Sequence, residues 1–386
     1  MSDDSGEALG EQRAAFAVPP DVAYFNCASL SPHLHAVRDA GQAALLRRGQ
    51  PWTIASSDWF AEVESVRTMF GELVGADAEG VALVPATSYG FAVAARNLRL
   101  TERDRILVLA REYPSGVYTW RAAARSSGAR LVTAECEAGQ SWTEAVLGVL
   151  DERITVASVP NVHWTDGALV DLDAIGVRCR EVGARLVVDG SQSVGVMPLD
   201  VARVQPDFVM CVGYKWLLGP FGAGYLYVAP HQRDGEPLEQ NWIVRDGAQD
   251  FTRLIDYRDD YQPGARRFDA GARTKFELLP MSIAALRQIR AWQVPRIAAA
   301  LAALTSRIAH RAAELGLDTI PPDQRGPHIL GITLPPEALA AIPPALAAAN
   351  CYLSVRGDSL RIAPHLHITD DDITRLMAAL AQALNR

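Results

Sequence analysis

Short apolar runs alternate with helical stretches along the middle of the chain, from about residue 59 to residue 228. Several of these runs are β-branched, bounded by turn residues and apolar almost throughout, which predicts strands buried on both faces of a sheet. They cover residues 81–84, 105–109, 130–133, 155–159, 185–188, 208–212 and 224–228. Helical stretches fall between them, for instance at 115–126, 143–150 and 171–181. The alternation predicts an α/β fold with a mainly parallel sheet between helices.

The alternation stops after Val228. Residues 229–267 are rich in Asp, Gln, Arg and Gly and predict a long irregular connection, and loops of this length are usually functional. A helical region at about 279–315, interrupted at Pro295, precedes strands at 329–334, 352–355 and 360–362 and helices at 336–350 and 370–384. We therefore predict an N-terminal segment 1–30, a large α/β domain 31–265 and a smaller C-terminal α+β domain 266–386.

Composition and charge narrow the class of partner. A chain of 386 residues with 49% hydrophobic residues can bury two cores. The net charge of -8 gives no basic surface for nucleic acid and no polybasic membrane anchor, so the expected partner is a small molecule. Residues 1–20 lack the regions of a signal peptide, and no later stretch reaches membrane-spanning length without a charge or proline. We expect a soluble, unprocessed, cytoplasmic protein.

The cysteines and histidines do not predict a metal site. The five cysteines are widely spaced and form no Cys-x-x-Cys pair; they lie at positions 27, 136, 179, 211 and 351. This spacing argues against a disulfide framework and a zinc cluster, and it favours a reducing compartment. His365 and His367 have no third ligand at a suitable spacing.

Two charged residues follow apolar strands, where a protein core is expected. Lys215 comes after the strand at 208–212, although lysine is rarely fully buried, and Asp189 directly follows the strand at 185–188. A carboxylate in that position needs a nearby cation, and successive strands would place the two side chains together. The structural alternatives are a salt bridge to an arginine and a surface lysine. The functional interpretation is pyridoxal phosphate, which requires a lysine Schiff base and a carboxylate at its pyridine nitrogen.

A second polar turn follows the first strand. Thr87 and Ser88 come after residues 81–84 and lead into a helix, where hydroxyl groups and free backbone N–H groups can hold a phosphate. Taken alone, this pattern is more typical of a plain helix N-cap.

Two motifs give the chain a family resemblance. They are Val188-Asp-Gly-Ser-Gln-Ser-Val-Gly195 and Gly213-Tyr-Lys-Trp-Leu-Leu-Gly-Pro-Phe-Gly-Ala-Gly224. With these motifs the chain resembles the class V aminotransferase family of pyridoxal phosphate enzymes, fold type I. That family includes cysteine desulfurases, kynureninases, isopenicillin N epimerase and C–S lyases of the ergothioneine pathway. The similarity runs from Tyr24 to Asp370, and it implies that the large domain binds the cofactor and that segment 1–30 packs near the active site and the small domain.

The resemblance assigns cofactor contacts residue by residue. Lys215 would form the internal aldimine and shuttle protons at the substrate α-carbon, and Asp189 would pair with the pyridine nitrogen. Gln192 would donate a hydrogen bond to the phenolic oxygen. Tyr113 stands where the family places a residue that stacks on the ring, and Tyr214 resembles the kynureninase tyrosine that reaches the phosphate.

The phosphate contacts imply a second subunit. Thr87 and Ser88 resemble the family's phosphate-binding pair. Thr274 lies where the family sends a hydroxyl into the phosphate site of the partner subunit. The resemblance therefore implies a homodimer with active sites at the subunit interface.

On the substrate side, Arg361 matches the family's arginine that binds the substrate carboxylate, a role suited to a planar donor. A structural arginine on an edge strand is the alternative. Arg356 is a weaker candidate for the same role. The residues expected to line the substrate side are Asn26, Ser29, His163 and Trp164.

Several reactions remain open, because all start from the same cofactor adduct. The leading hypothesis is an aminotransferase-like enzyme acting on an α-amino acid, and the alternative is a lyase of the C–S or kynureninase kind. A cysteine desulfurase is disfavoured, since only Gly357, Asp358 and Ser359 separate the two C-terminal strands and Cys351 precedes both. An epimerase is also a weaker alternative. A non-catalytic scaffold would have no use for a buried lysine facing a carboxylate.

Overall fold

The computed structural model describes residues 9–384. The helices are α1 His35–Arg48, α2 Asp58–Val74, α3 Thr87–Asn97, α4 Pro114–Ser127, α5 Trp142–Val149, α6 Leu172–Val182, α7 Val201–Val204, α8 Leu279–Trp292, α9 Val294–Ala313, α10 Pro336–Ala348 and α11 Asp370–Leu384. The strands are β1 Ala23–Tyr24, β2 Val81–Val84, β3 Arg105–Leu109, β4 Arg130–Ala134, β5 Val156–Pro160, β6 Arg185–Asp189, β7 Phe208–Val212, β8 Gly224–Val228, β9 Leu330–Thr333, β10 Cys351–Tyr352, β11 Ser354–Arg356 and β12 Ser359–Ile362.

The central sheet has seven strands in the order β2-β8-β7-β6-β5-β3-β4. All neighbouring pairs are parallel except those of β8, which runs antiparallel to β2 and β7. The predicted mainly parallel sheet is therefore confirmed. Five consecutive strand ends in a parallel sheet lie along one edge, and this edge carries the candidate site.

Both faces of the sheet are buried, because successive side chains along each strand point to opposite sides. Val81 and Leu83 join the apolar core that contains α2, α6 and α8, whereas Ala82 and Val84 join the core that contains α3 and α4. This packing explains why the strands are apolar at nearly every position.

The C-terminal strands differ from the prediction in one respect. A single strand was expected at residues 352–355, but the chain changes partner at Leu353. β10 pairs in parallel with β1 near the N-terminus, whereas β11 joins the antiparallel sheet β11-β12-β9. This pairing connects residues 23–24 to the C-terminal part of the fold. The proposed boundaries 31–265 and 266–386 remain a prediction.

The long helical region breaks two residues before the expected position. Gln293 adopts φ 65° between α8 and α9, and Pro295 lies in the first turn of α9. Proline is tolerated there because a first-turn N–H group has no helical partner. Residues 229–267 form the expected irregular connection, with short 3₁₀ turns such as Trp242–Val244. Within residues 9–384, no helix is long and apolar enough to cross a membrane.

Candidate active site

Polar and aromatic side chains gather at the carboxyl edge of the central sheet. Asp189 is the last residue of β6, and Lys215 follows β7 by three residues. Tyr113 follows β3 as the N-cap residue of α4, and Trp164 follows β5. Thr87 begins α3 directly after β2. The parallel strands thus bring together residues that are far apart in the sequence.

Lys215 is a buried amine at this edge. It is 8% exposed, so the alternative of a surface lysine is excluded. Its Nζ atom lies 5.5 Å from the centre of the Tyr113 ring and 6.0 Å from that of Tyr214. Burial lowers the pKa of Lys215 to about 8, against the opposing effect of Asp189. A lysine with this pKa has a substantial fraction of nucleophilic neutral amine near neutral pH.

Within residues 9–384, the carboxylate of Asp189 has no arginine partner. Its Oδ1 atom accepts a hydrogen bond from the backbone N–H of Ser191 at 2.9 Å, and among residues 9–384 no ion pair to this carboxylate is found. Burial raises its pKa, while Ser191 and then Lys215 act in the opposite direction. The carboxylate therefore lies where a bound cation would stabilise its charged form.

The amide of Gln192 is held in one orientation. Its Nε2 donates to the carbonyl of Ala28 at 3.1 Å, and its Oε1 accepts from the indole N–H of Trp216 at 2.8 Å. The ring of His328 contacts the backbone carbonyl of Gln192. The amide keeps one further N–H for a ligand.

Sequence reasoning missed the residues that orient Gln192 and a carboxyl group beside Tyr113. Trp216 lies in the apolar sequence that follows Lys215, and no local pattern marks His328. Glu112 precedes Tyr113 and accepts its backbone N–H, while the second Glu112 oxygen is buried without a partner. Burial raises the pKa of Glu112 to about 7. Its position three residues after β3, the same spacing as that of Lys215 after β7, is the signal that could identify it.

The start of α3 has the features of an anion site. The N-cap residue is Ala86, which provides no side-chain cap, so Thr87 and Ser88 lie inside the helix rather than acting as N-caps. Thr87 is buried and Ser88 is exposed. Helix N-termini attract phosphate through free N–H groups and the helix dipole. Thr274 lies elsewhere and donates to the carbonyl of Trp59 at 2.7 Å, so its contact with a partner subunit remains a prediction.

Two arginines converge on one serine. Arg361 is 1% exposed and donates to Ser29 Oγ at 2.7 Å and to the Trp164 carbonyl at 2.6 Å. Arg356 donates to the same Ser29 oxygen at 3.0 Å. Burial, followed by the charge of Arg356, lowers the pKa of Arg361 to about 9, which leaves it cationic at neutral pH. Neither guanidinium has a carboxylate partner within the described part of the chain.

The other predicted substrate residues separate into two groups. Trp164 meets the Tyr113 ring edge-on at 5.7 Å and donates its indole N–H to the Arg111 carbonyl at 2.7 Å. Asn26 Oδ1 is buried without a hydrogen-bond partner. His163 instead stacks on Trp142 at 4.8 Å and is 1% exposed, so it is a packed residue of the loop after β5.

The groups left unpaired at this edge fit pyridoxal phosphate. The cofactor requires an amine for its aldehyde, a carboxylate for its pyridine nitrogen and an anion site for its phosphate. Lys215, Asp189 and the start of α3 provide these three groups. The remaining donor of Gln192 suits the phenolic oxygen.

Comparisons with known proteins agree with this geometry. The family model for aminotransferase class-V matches residues 42–359. The uncharacterized aminotransferase YcbU of Bacillus subtilis is 25% identical over 339 residues, covering 88% of this chain and 87% of that protein. The kynureninase of Deinococcus radiodurans is 30% identical over 280 residues, covering 69% of this chain and 66% of that protein.

Solved structures share the fold at lower identity. The complex of the cystine C–S lyase C-DES with its reaction product cysteine persulfide has a TM-score of 0.85 at 20% identity, covering 94% of this chain and 98% of that one. The apo cysteine desulfurase of Thermococcus onnurineus has a TM-score of 0.84 at 18% identity, covering 98% and 100%. At this level of sequence identity, the structural similarity shows a shared fold.

Proposed function

Since the chain belongs to the class-V aminotransferase family of pyridoxal phosphate-dependent enzymes, we propose that it is an aminotransferase acting on an α-amino acid, with Lys215 holding the cofactor. The family, the fold type I architecture and the cofactor predicted from the sequence are confirmed. The observation that carries the cofactor role is the buried Lys215 amine, whose pKa is influenced by the charges of Asp189 and Arg361. The choice of amino transfer rests on the family model.

Each residue has a separate task in this proposal. When bound, pyridoxal phosphate supplies an electron sink that stabilises negative charge at the substrate α-carbon. The neutral amine of Lys215 would take the proton from the α-carbon of the donor amino acid, and would later deliver a proton to the α-carbon of the amino acid formed from the acceptor. Asp189 holds a proton at the pyridine nitrogen, because a neighbouring negative charge favours the protonated form. Gln192, fixed by Trp216, orients the ring through its free N–H.

Binding and orientation come from the surrounding elements. Thr87, Ser88 and the start of α3 bind the phosphate group. Tyr113 would pack against the ring of the cofactor, and Trp164 contacts the Tyr113 ring edge-on. Arg361, assisted by Arg356, holds the substrate carboxylate and replaces water around it.

We expect Arg361→Gln to raise KM for amino acids by about 10- to 150-fold, the cost of a lost charge-assisted hydrogen bond. Arg356→Gln should give a smaller increase, because its side chain is less buried. Steady-state kinetics with one amino acid measures both. The control is Arg325→Gln, which removes another buried guanidinium bound to neutral oxygens. If Arg325→Gln raised KM as much as Arg361→Gln, the carboxylate role would be refuted.

The reaction class is tested with a panel of amino acids. An aminotransferase requires a 2-oxo acid acceptor and passes the amino group to it, whereas a lyase releases ammonia without an acceptor. The lyase alternative rests on the kynureninase relative. Amino transfer supports the proposal, and acceptor-independent ammonia release would replace it with a lyase.

Cys351 is 2% exposed and burial raises its pKa to about 11, which argues against a desulfurase nucleophile.

We also propose a homodimer with the active sites at its interface. Phe221 is 71% exposed, yet its ring lies 4.6 Å from that of the site residue Tyr214. Exposed apolar side chains also include Trp52, Ile255 and Tyr257. Large exposed apolar side chains such as Phe221 are candidates for burial in a protein interface. Sedimentation should show a dimer, and Phe221→Asp should shift it toward monomer and lower activity; a monomeric, fully active wild type would contradict this.

The free cysteines support a reducing, cytoplasmic location.

A further inference from the structure

An exposed ion pair joins two loops that also carry residues of the site. Arg111 follows β3, and Asp358 lies in the turn between β11 and β12. One guanidinium nitrogen donates to a carboxylate oxygen at 3.4 Å, and the other nitrogen contacts the second oxygen. Two nitrogens of the Arg111 guanidinium therefore contact the two carboxylate oxygens of Asp358. This two-point contact fixes the relative orientation of the two side chains as well as the distance between them. The two side chains are 51% and 53% exposed.

Arg111 and Gly357, on the two loops that form this contact, both have a left-handed backbone conformation. Arg111 has φ 56°, a left-handed conformation in which asparagine or glycine is much commoner than arginine. Gly357, beside Asp358, has φ 60°, and a Cβ atom there would lie 2.8 Å from an Arg111 nitrogen. A side chain at residue 357 would thus displace the Arg111 side chain.

Both loops also hold residues of the site. The turn at Gly357 directly follows Arg356, and β12 contains Arg361. The Arg111 carbonyl accepts the indole N–H of Trp164, whose own carbonyl accepts a hydrogen bond from Arg361. Arg111 is therefore linked to the Arg356–Arg361 hairpin by two routes, one through Asp358 and one through Trp164.

We propose that the Arg111–Asp358 pair is a positioning contact that holds the hairpin of residues 354–362 over the site, so that Arg356 and Arg361 meet the substrate carboxylate. This inference rests on the proposed function. In this proposal the pair acts through the hairpin and not on the reacting atoms, so its removal weakens substrate binding more than it slows the chemical step.

A double-mutant cycle tests the pair. Arg111→Asn removes the guanidinium and keeps a residue that tolerates the left-handed backbone, and Asp358→Asn removes the charge alone. Each single variant is expected to raise KM about two- to fivefold, the range for an exposed pair, with kcat nearly unchanged. The double variant should match the single variants, because both remove the same contact. Hydrogen exchange of residues 354–362 should accelerate by a similar factor in all three variants.

The control cycle uses Arg96→Asn and Glu236→Gln. These two residues form an ion pair of similar exposure, 54% and 58%, that lies between α3 and the loop after β8. It should leave KM and hairpin exchange unchanged. The proposal is overturned if KM is unchanged in the single variants, if the two single effects multiply in the double variant, or if kcat falls with KM constant. If no amino acid is turned over, the proposed function fails, and hairpin exchange still tests the contact.

Discussion

Replacing Lys215 with alanine is expected to lower kcat/KM by about 10⁴-fold or more, because one side chain both attaches the cofactor and moves the proton. The visible absorbance of the holoenzyme should also change, since the attachment point is lost. Lys215→Arg should be equally inactive, because a guanidinium stays protonated and cannot attack an aldehyde. Absorbance and steady-state kinetics measure the two effects.

The control for this substitution is Lys275→Arg. The chain has only two lysines, Lys215 and Lys275, and the second donates to the carbonyl of Gly222. Lys275→Arg keeps a cation there and should retain activity. Nearly full activity in Lys215→Ala would contradict the assignment.

The same amine should give a pH dependence. Burial lowers the pKa of Lys215 from 10.5 to about 8, so the charged form is lost earlier as the pH rises. The neutral fraction increases from about one-tenth at pH 7 to about nine-tenths at pH 9. The rate at which apoprotein binds pyridoxal phosphate covalently should rise through a midpoint near pH 8. A midpoint near the ordinary value of lysine would show that the amine is not buried in solution.

Asp189→Asn is expected to lower kcat by about 10²- to 10³-fold, because an amide cannot stabilise a proton at the pyridine nitrogen as a carboxylate does. The structure supports this, since burial raises the pKa of the Asp189 carboxyl and no arginine within residues 9–384 neutralises it. Cofactor affinity should fall as well. Kinetics at saturating cofactor separates the loss of rate from the loss of binding.

Asp207→Asn is the matched control. Asp207 is another buried carboxylate, but it precedes β7 and lies at the opposite edge of the sheet, where it contacts His231 and Gln232. Its replacement should lower thermal stability and leave kcat unchanged. An equal loss of kcat in both variants would indicate general damage to the fold rather than a role for Asp189.

The central sheet could be predicted because each strand is buried on both faces. Its apolar runs are therefore continuous, and the first polar residue after each run marks a strand end. Asp189 and Lys215 were recognised in this way. The break in the last strands was not, because pairing of β10 with β1 depends on residues more than 300 positions away.

Long-range contacts set the limit of prediction for the site. His328 contacts Gln192 across 136 residues, and Ser29 receives hydrogen bonds from Arg356 and Arg361 across 327 and 332 residues. No local sequence pattern predicts a contact between residues so far apart in the chain. Glu112 and Trp216 were beside residues already singled out, but their roles depend on which way their side chains point.

Reduction of the holoenzyme with borohydride identifies the lysine that holds the cofactor, because it makes the bond between cofactor and lysine permanent. With two lysines in the chain, mass spectrometry of the tryptic peptides gives a clear choice. We predict a phosphopyridoxyl group on Lys215, in a peptide of residues 204–233 left uncut at the modified lysine. A label on Lys275, or no label on either lysine, would contradict it.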